Sequence, residues 1–304
     1  MSESRPAAVN VAAIRSRNSL ASAYYELTKP RITLMVVVTM AAGFYLALPM
    51  GLLSAEYGLL FIATLLGTTL LSAGSCVLNH VMEHVYDRDM RRTMFRPIPS
   101  GKVRASHAAW YGIALAVAGL GVLFSVKVLT AALGLLTLLL YLLVYTPMKR
   151  RTQFATLVGG IPGALPPAAG YATVAGTVTT ESVALFLILF LWQMPHFLSL
   201  AWMYRKDYER GGFPMITVMD RTGITVARHI ISYILLLLPV SLLPTLLGAT
   251  GVVYFIVAAL LGTVFLVAGF RFMYQRSNVA ARNVLLTSYF YLLALFTVMF
   301  FDKA

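Results

Sequence analysis

The chain has 304 residues, of which 59% are hydrophobic and 12% charged, and its 24 Lys and Arg against 11 Asp and Glu give a net charge of +13. With a mean hydropathy of +0.80, this composition lies outside the range of soluble domains and describes a polytopic membrane protein. The positive charge follows from loop orientation and from attraction to anionic lipid and phosphate, so it excludes nothing about small anionic substrates and is no nucleic-acid signal.

The first thirty residues have no apolar core before a small-residue cleavage site and read as a cytoplasmic tail, 1–30, ahead of a single transmembrane domain over 31–304. A span of the hydrocarbon core needs about 20 mainly apolar residues. Nine segments qualify: Ile32–Leu53, Gly58–Leu78, Ala108–Val126, Leu129–Pro147, Phe154–Val174, Val183–Met203, His229–Gly248, Val252–Phe272 and Val284–Phe301. Of the 24 basic residues, 22 fall before the first span or after the second, fourth, sixth and eighth, which leaves Lys127 and Lys303 on the other side. Such a bias places the amino terminus in the cytoplasm and, with nine spans, the carboxyl terminus outside. The fold expected is all-α, nine transmembrane helices around a central cavity. Cys76, the one cysteine, allows no internal disulfide and reads as a small buried side chain.

The second span runs into Asn79, Glu83 and Asp87, spaced i, i+4 and i+8, and then into Arg88, Arg91, Arg92 and Arg96. That spacing puts an amide and two carboxylates along one helix face. Oxygen ligands beside arginines suit a magnesium-bound diphosphate, because Mg²⁺ takes few protein oxygens and arginine binds phosphate oxygens bidentately. A solvated polar loop would explain the charges but not the spacing. The fifth span contains Gly159-Gly160-Ile161-Pro162-Gly163-Ala164-Leu165-Pro166-Pro167. Backbone freed by prolines is tolerated in a membrane where it packs on protein or lines a cavity, so this span either faces a chamber or kinks against close neighbours. Trp192, Gln193 and His196 place polar groups within the sixth span, where they face the bundle interior or a functional cavity. That span leads into Tyr204, Arg205, Lys206, Asp207, Glu209 and Arg210. Six of the eleven acidic residues, Glu83, Asp87, Asp89, Asp207, Glu209 and Asp220, lie in these two cytoplasmic loops, which suggests one shared site.

The run Asn79, Glu83, Asp87, Met90, Arg92-Thr93, Arg96-Pro97 resembles the first signature of the UbiA-type intramembrane prenyltransferases. Trp192-Gln193-Met194-Pro195-His196-Phe197, with Tyr204, Asp207-Tyr208, Gly211 and Pro214-Met215, is similar to the second motif of the branch that farnesylates protoheme. The likeness extends over all nine spans. Glu83 stands where many members have aspartate, and Gly211 stands where many quinone prenyltransferases have a further aspartate, so Asp207 is the one carboxylate of the second loop that the match singles out.

The resemblance implies Mg²⁺ held by Asn79, Glu83 and Asp87, with Asp207 on metal or diphosphate, and Arg92, Arg96 and Lys206 on the diphosphate. His196, Gln193, Trp192 and Tyr204 would meet the acceptor. It further implies a farnesyl diphosphate donor, heme B as acceptor, heme O as product, and a bacterial inner membrane with the site on the cytoplasmic face. A heme A synthase or terminal oxidase assembly would be the downstream partner. Prenylation of an aromatic quinone precursor, and a transporter or assembly factor without catalysis, remain the alternatives; product identity and magnesium-dependent diphosphate release separate them.

Overall fold

The computed structural model describes residues 19–49, 55–90 and 92–304. Among the described residues the protein is helical, with one isolated antiparallel bridge between Thr250 and Lys303. Helix α1, Leu20–Leu27, is short and is capped by the Ser19 hydroxyl, which accepts from the Ser22 N–H at 3.2 Å. It buries Ala23 and Leu27 against Val77, Ile98, Val103 and Ala108 and leaves Leu20 and Tyr25 exposed. Part of the expected tail is therefore a helix laid against the bundle, while residues 1–18 fall outside the described part.

The long helices are α2 (Pro30–Ala47), α3 (Ala55–Asp87), α4 (Ala105–Val126), α5 (Val128–Leu139), α6 (Ala155–Ala175) and α7 (Thr180–Met203). After α7 come two short helices, α8 (Arg205–Arg210) and α9 (Ile216–Met219), then α10 (Ile224–Leu246), α11 (Val252–Gln275) and α12 (Asn278–Phe301). Helix α5 continues as a π-helix over Leu140–Tyr145 and a last turn over Thr146–Met148. Eight of these helices are long and apolar enough to cross a membrane, which makes the chain an integral membrane protein. The expected fifth span is the 21-residue α6, whose glycines and prolines dilute its hydropathy. It stays helical through Pro162, Pro166 and Pro167, although these prolines deny i+4 donors to the carbonyls of Val158, Pro162 and Gly163.

Neighbours in sequence are mostly neighbours in space: α2 packs on α3, α3 on α4, α4 on α5, and α6 lies against α2, α5 and α7. Helix α7 packs on α10 and α12, and α12 reaches back to α2. At that seam Lys303 donates to the carbonyls of Tyr45 (2.9 Å) and Leu48, while the Asp302 carboxylate ties the end of α12 to the start of α11, accepting from the Tyr254 N–H at 2.6 Å. Leu59, Ile62, Val117, Phe124, Val264 and Leu293 point outward, as a lipid-facing surface requires.

Helices approach closely where they carry small residues, because van der Waals packing rather than hydrophobic burial drives association in lipid. A Cβ on Gly119 would stand 2.5 Å from the Leu71 nitrogen and 2.8 Å from the Gly67 oxygen, and one on Gly74 would stand 2.6 Å from the Ala116 nitrogen. Gly43 and the Pro167 carbonyl make the same kind of crossing between α2 and α6. Gly121, with no heavy atom within 4 Å of its built Cβ, is a built-in control. Gly119→Val must push α4 off the α3 backbone and should destabilise the protein by about 1–3 kcal/mol. Gly121→Val should leave the thermal midpoint in detergent unchanged, and equal midpoints for the two variants would show that the crossing tolerates separation.

Candidate active site

Helix α3 ends with three oxygen-bearing side chains on one face, and each is met by a cation from a different element. Lys29, in the link before α2, donates to Asn79 Oδ1 at 2.7 Å. Lys149, just past the last turn of α5, donates to Glu83 Oε1 at 3.2 Å. Arg96, in the loop after α3, holds Asp87 Oδ2 at 2.7 Å. Asn79, Glu83 and Asp87 are only 2%, 8% and 1% exposed. Burying carboxylates this far is tolerable only because each is paired.

The backbone helps to aim these cations. Lys29 has φ 47 and ψ 62, a left-handed conformation that a non-glycine residue adopts at a cost, and Pro30 opens α2 immediately after it. Burial pushes the Lys29 ammonium below the ordinary lysine value; the Glu83 charge offsets part of the fall, and Arg96 and Lys149 add to it. Burial also acts to lower Lys149, but the adjoining Tyr145, Glu83 and Tyr208 outweigh it and hold that ammonium above the usual value.

The Asn79 and Glu83 part of this face opens into a cavity of about 350 Å³, within the range of small-molecule sites, and Asp87 lies behind the wall, held by the lining residue Arg96. Lys29, Asn79, Glu83, Arg96, Lys149 and Tyr208 line one end. Along α2 the lining runs from Lys29 to Met40 and along α3 from Glu83 back to Thr68, a depth of roughly 16–22 Å at about 1.5 Å per helical residue. The far end is largely apolar, with Val36, Met40, Leu71 and Leu123. Helix α6 contributes Gly159, Pro162, Gly163, Pro166 and Ala169, so the proline-rich span does face a chamber. Tyr141 and Tyr145 also line the cavity and stack with ring centroids 5.6 Å apart. Gly159 makes room for them, since a Cβ there would stand 2.5 Å from the Tyr145 ring.

The two loops meet. Met90 is buried with Ala201, Tyr208, Phe213 and Met215, and the Arg92 guanidinium lies 5.2 Å from the Tyr204 ring centre and 5.9 Å from that of Tyr208. Arg150 stacks on Tyr86 at 3.3 Å, and Lys149 lies over Phe213 at 5.3 Å. Asp207, however, does not join Glu83 and Asp87. Its Oδ1 accepts from Arg210 at 3.4 Å, and together with Tyr204, Arg205, Lys206 and Asn278 it lines a separate depression. Among the described residues no three His, Cys, Asp or Glu side chains gather as a metal cluster.

Of the acceptor residues expected in the sixth span, Gln193 lines the cavity and donates to the Gly160 carbonyl at 2.6 Å. Trp192 and His196 turn toward α12, where the indole donates to the Ser288 carbonyl at 2.7 Å and the His196 Nδ1 lies 2.8 Å from the Ser288 hydroxyl. His84 Nδ1 sits 2.6 Å from the carbonyl of Val81 in its own helix. Lys29, Lys149, Tyr141 and Tyr145 were not singled out as site residues from sequence. Their signal was slight: Lys29 sits three positions before the first expected span and Lys149 two after the fourth, and the tyrosines are i, i+4 on an otherwise apolar helix.

This arrangement coincides with a known family. The model of the UbiA prenyltransferase family matches residues 26–298. The chain belongs to that family. A protoheme IX farnesyltransferase of Solibacter usitatus is 45% identical over 290 residues, covering 92% of this chain and 98% of the relative. Its counterpart in Koribacter versatilis is 40% identical and covers 94% of both chains. A digeranylgeranylglyceryl phosphate synthase shares the fold with a TM-score of 0.78 at 16% identity, covering 93% of this chain and 98% of its own. A UbiA homologue from Archaeoglobus fulgidus bound to GPP and Mg²⁺ aligns with a TM-score of 0.66 at 14% identity, over 91% of this chain and 99% of its own.

The donor set fits a hard divalent cation. Asp87 Oδ1 is buried with no hydrogen-bond partner, and Glu83 offers its second oxygen one turn away. One or two carboxylates suffice for Mg²⁺ when substrate phosphates and water complete the shell. Arg96→Gln would leave Asp87 an uncompensated buried carboxylate and should cost about 3–5 kcal/mol. Adding Asp87→Asn should recover most of the lost thermal midpoint, because an amide needs no counter-charge; a double variant no more stable than Arg96→Gln alone would count against charge pairing as the cause.

Proposed function

We propose that the chain transfers the farnesyl group of farnesyl diphosphate to a vinyl group of heme B, with addition of water, to give heme O. The observation that carries this reading is the 45% identity, over 92% of the chain, to a relative named protoheme IX farnesyltransferase. The cavity supports it, because a cationic end continuous with an apolar well suits a diphosphate head on an isoprenoid tail.

Asn79, Glu83 and Asp87 would hold Mg²⁺, whose charge would offset the negative charge on the diphosphate oxygens. Lys29, Lys149 and Arg96 would bind the remaining phosphate oxygens, a role in which the two lysines join Arg96. Arg92, Lys206 and Asp207 lie further out on the cytoplasmic surface and act on the approach of substrate. The electron pair of the C–O bond leaves on diphosphate, and the electron-poor allylic carbon is steadied by the faces of Tyr141 and Tyr145. The vinyl π-electrons form the new C–C bond, and water adds to the adjacent carbon with loss of a proton. The apolar well keeps bulk water off the reactive chain.

Purified protein with Mg²⁺, farnesyl diphosphate and heme B should therefore yield a heme heavier by one farnesyl group and one hydroxyl, read by mass spectrometry. Glu83→Gln and Asp87→Asn should each lower its formation at least tenfold, about 1.4 kcal/mol of transition-state stabilisation. Prenylation of an aromatic acid with no heme product would overturn the acceptor while leaving the diphosphate site standing. Wild-type turnover in either variant would remove that residue from the metal face.

The same reading sets nine spans in a bacterial inner membrane, with α6 as the fifth, the amino terminus in the cytoplasm and the charged end of the cavity on that side. A cysteine at Ser106, in a Cys76→Ala background, should be labelled from the cytoplasmic face and one at Thr177 from the opposite face; labelling of both from one side would refute this topology.

A further inference from the structure

The end of α5 carries a turn that substrate binding alone does not explain. Over Leu140–Tyr145 the helix is π-wound, and the Thr146 N–H bonds the Tyr141 carbonyl five residues back. Single π-turns of this kind are uncommon and concentrate at functional positions. Thr146 keeps helical angles, φ −60 and ψ −45, although Pro147 follows and disfavours them. This winding brings the Thr146 hydroxyl over the same Tyr141 carbonyl, to which it donates at 2.8 Å.

A hydroxyl has one proton. With that proton on the Tyr141 carbonyl, the Thr146 oxygen can offer Asn79 only lone pairs, and Asn79 Nδ2 duly donates to it at 3.2 Å. Both side chains are buried. Turning the carboxamide over would set nitrogen against the Lys29 ammonium, and oxygen against oxygen unless the hydroxyl gave up its bond to the Tyr141 carbonyl, so polar groups would be mismatched at both ends of the amide. The Thr146 contact at one end and the Lys29 contact at the other therefore fix which end of Asn79 faces the charged end of the cavity: Oδ1, now 2.7 Å from Lys29 Nζ.

We propose that Thr146 is a positioning residue that locks the Asn79 carboxamide with its oxygen toward the metal–diphosphate. An amide free to turn over would spend part of its time presenting NH₂, which cannot ligate a cation. The inference rests on the reading of Asn79 as a metal ligand and adds the device that makes an amide, rather than a carboxylate, serviceable there.

The test uses the full-length protein in lipid nanodiscs with an unreactive farnesyl thiodiphosphate, and reads Mn²⁺ affinity from the free-Mn²⁺ electron paramagnetic resonance signal. Thr146→Val, which keeps the shape and removes the hydroxyl, should weaken Mn²⁺ binding at least fivefold, and Thr146→Ser should stay within twofold of wild type. Asn79→Ala should also weaken binding, and adding Thr146→Val to it should cause no further loss, because the effect runs through the amide. If the valine variant is not monodisperse, Thr146→Ala reports the same loss. Wild-type affinity in Thr146→Val, a serine variant as weak as valine, or losses that add would overturn the inference alone. Wild-type affinity in Asn79→Ala would overturn the reading of Asn79 as a ligand, and the inference with it.

Discussion

Three buried oxygen donors at the end of one membrane helix impose the constraint on which the rest of the site depends. Asn79, Glu83 and Asp87 are almost wholly enclosed, and a carboxylate in that position is affordable only with a cation beside it. The cations cannot come from α3 itself, whose face is already taken by the donors. Lys29, Lys149 and Arg96 come instead from the link before α2, the end of α5 and the loop after α3. Pairing the face thus pins three chain segments at one end of the bundle, and the cavity mouth is what they enclose.

From that mouth the chemistry changes along the helix axes. The same α3 face that carries Glu83 and Asn79 carries Cys76, Ser75, Ser72, Leu71 and Thr68 further down the cavity wall. Opposite it, α6 presents glycines and prolines, whose small profile leaves volume where a larger side chain would fill it. The prolines do not break α6, because the helix is packed between α2, α5 and α7 and those neighbours hold it in shape. Gln193 reaches across from α7 to cap the Gly160 carbonyl, so the amide in the sixth span stabilises its neighbour as well as lining the chamber.

The first motif was legible because a four-residue spacing is a geometric statement: it commits Asn79, Glu83 and Asp87 to one face before any fold is known. The proline-rich span was half legible, since freed carbonyls in lipid must meet either close-packed protein or a chamber, and α6 does both, with Pro167 against Gly43 and Pro162 and Pro166 on the cavity. Lys149 and Lys29 were read only as orientation charges. Sequence counts a lysine at a span end but does not say whether its ammonium snorkels to water or turns inward. Trp192 and His196 differ in the opposite sense: their depth marks them as interior, yet interior includes the seam with α12 as well as the chamber, and both bond Ser288 at that seam. Asp207 shared composition with the first loop but not its position, because Met90 and Tyr208, rather than the carboxylates, make the contact between the loops.

That division has a chemical consequence. Glu83 and Asp87 sit against cations in a nearly closed wall, where charges interact strongly and each group is held in place. Asp207 and Lys206 are more exposed, with the Asp207 side chain 22% accessible against 1% for Asp87, so the same charges are better screened there. A leaving group that gains charge as a bond breaks is helped by the first environment and hardly by the second, since only preorganised dipoles and charges in a dry setting act without reorganisation. The helix end of α3, with the cations gathered to it and the tyrosines of the π-turn beside it, is the environment on which the proposed bond breaking rests. The outer loop is joined to it through Met90, Arg92 and Tyr208.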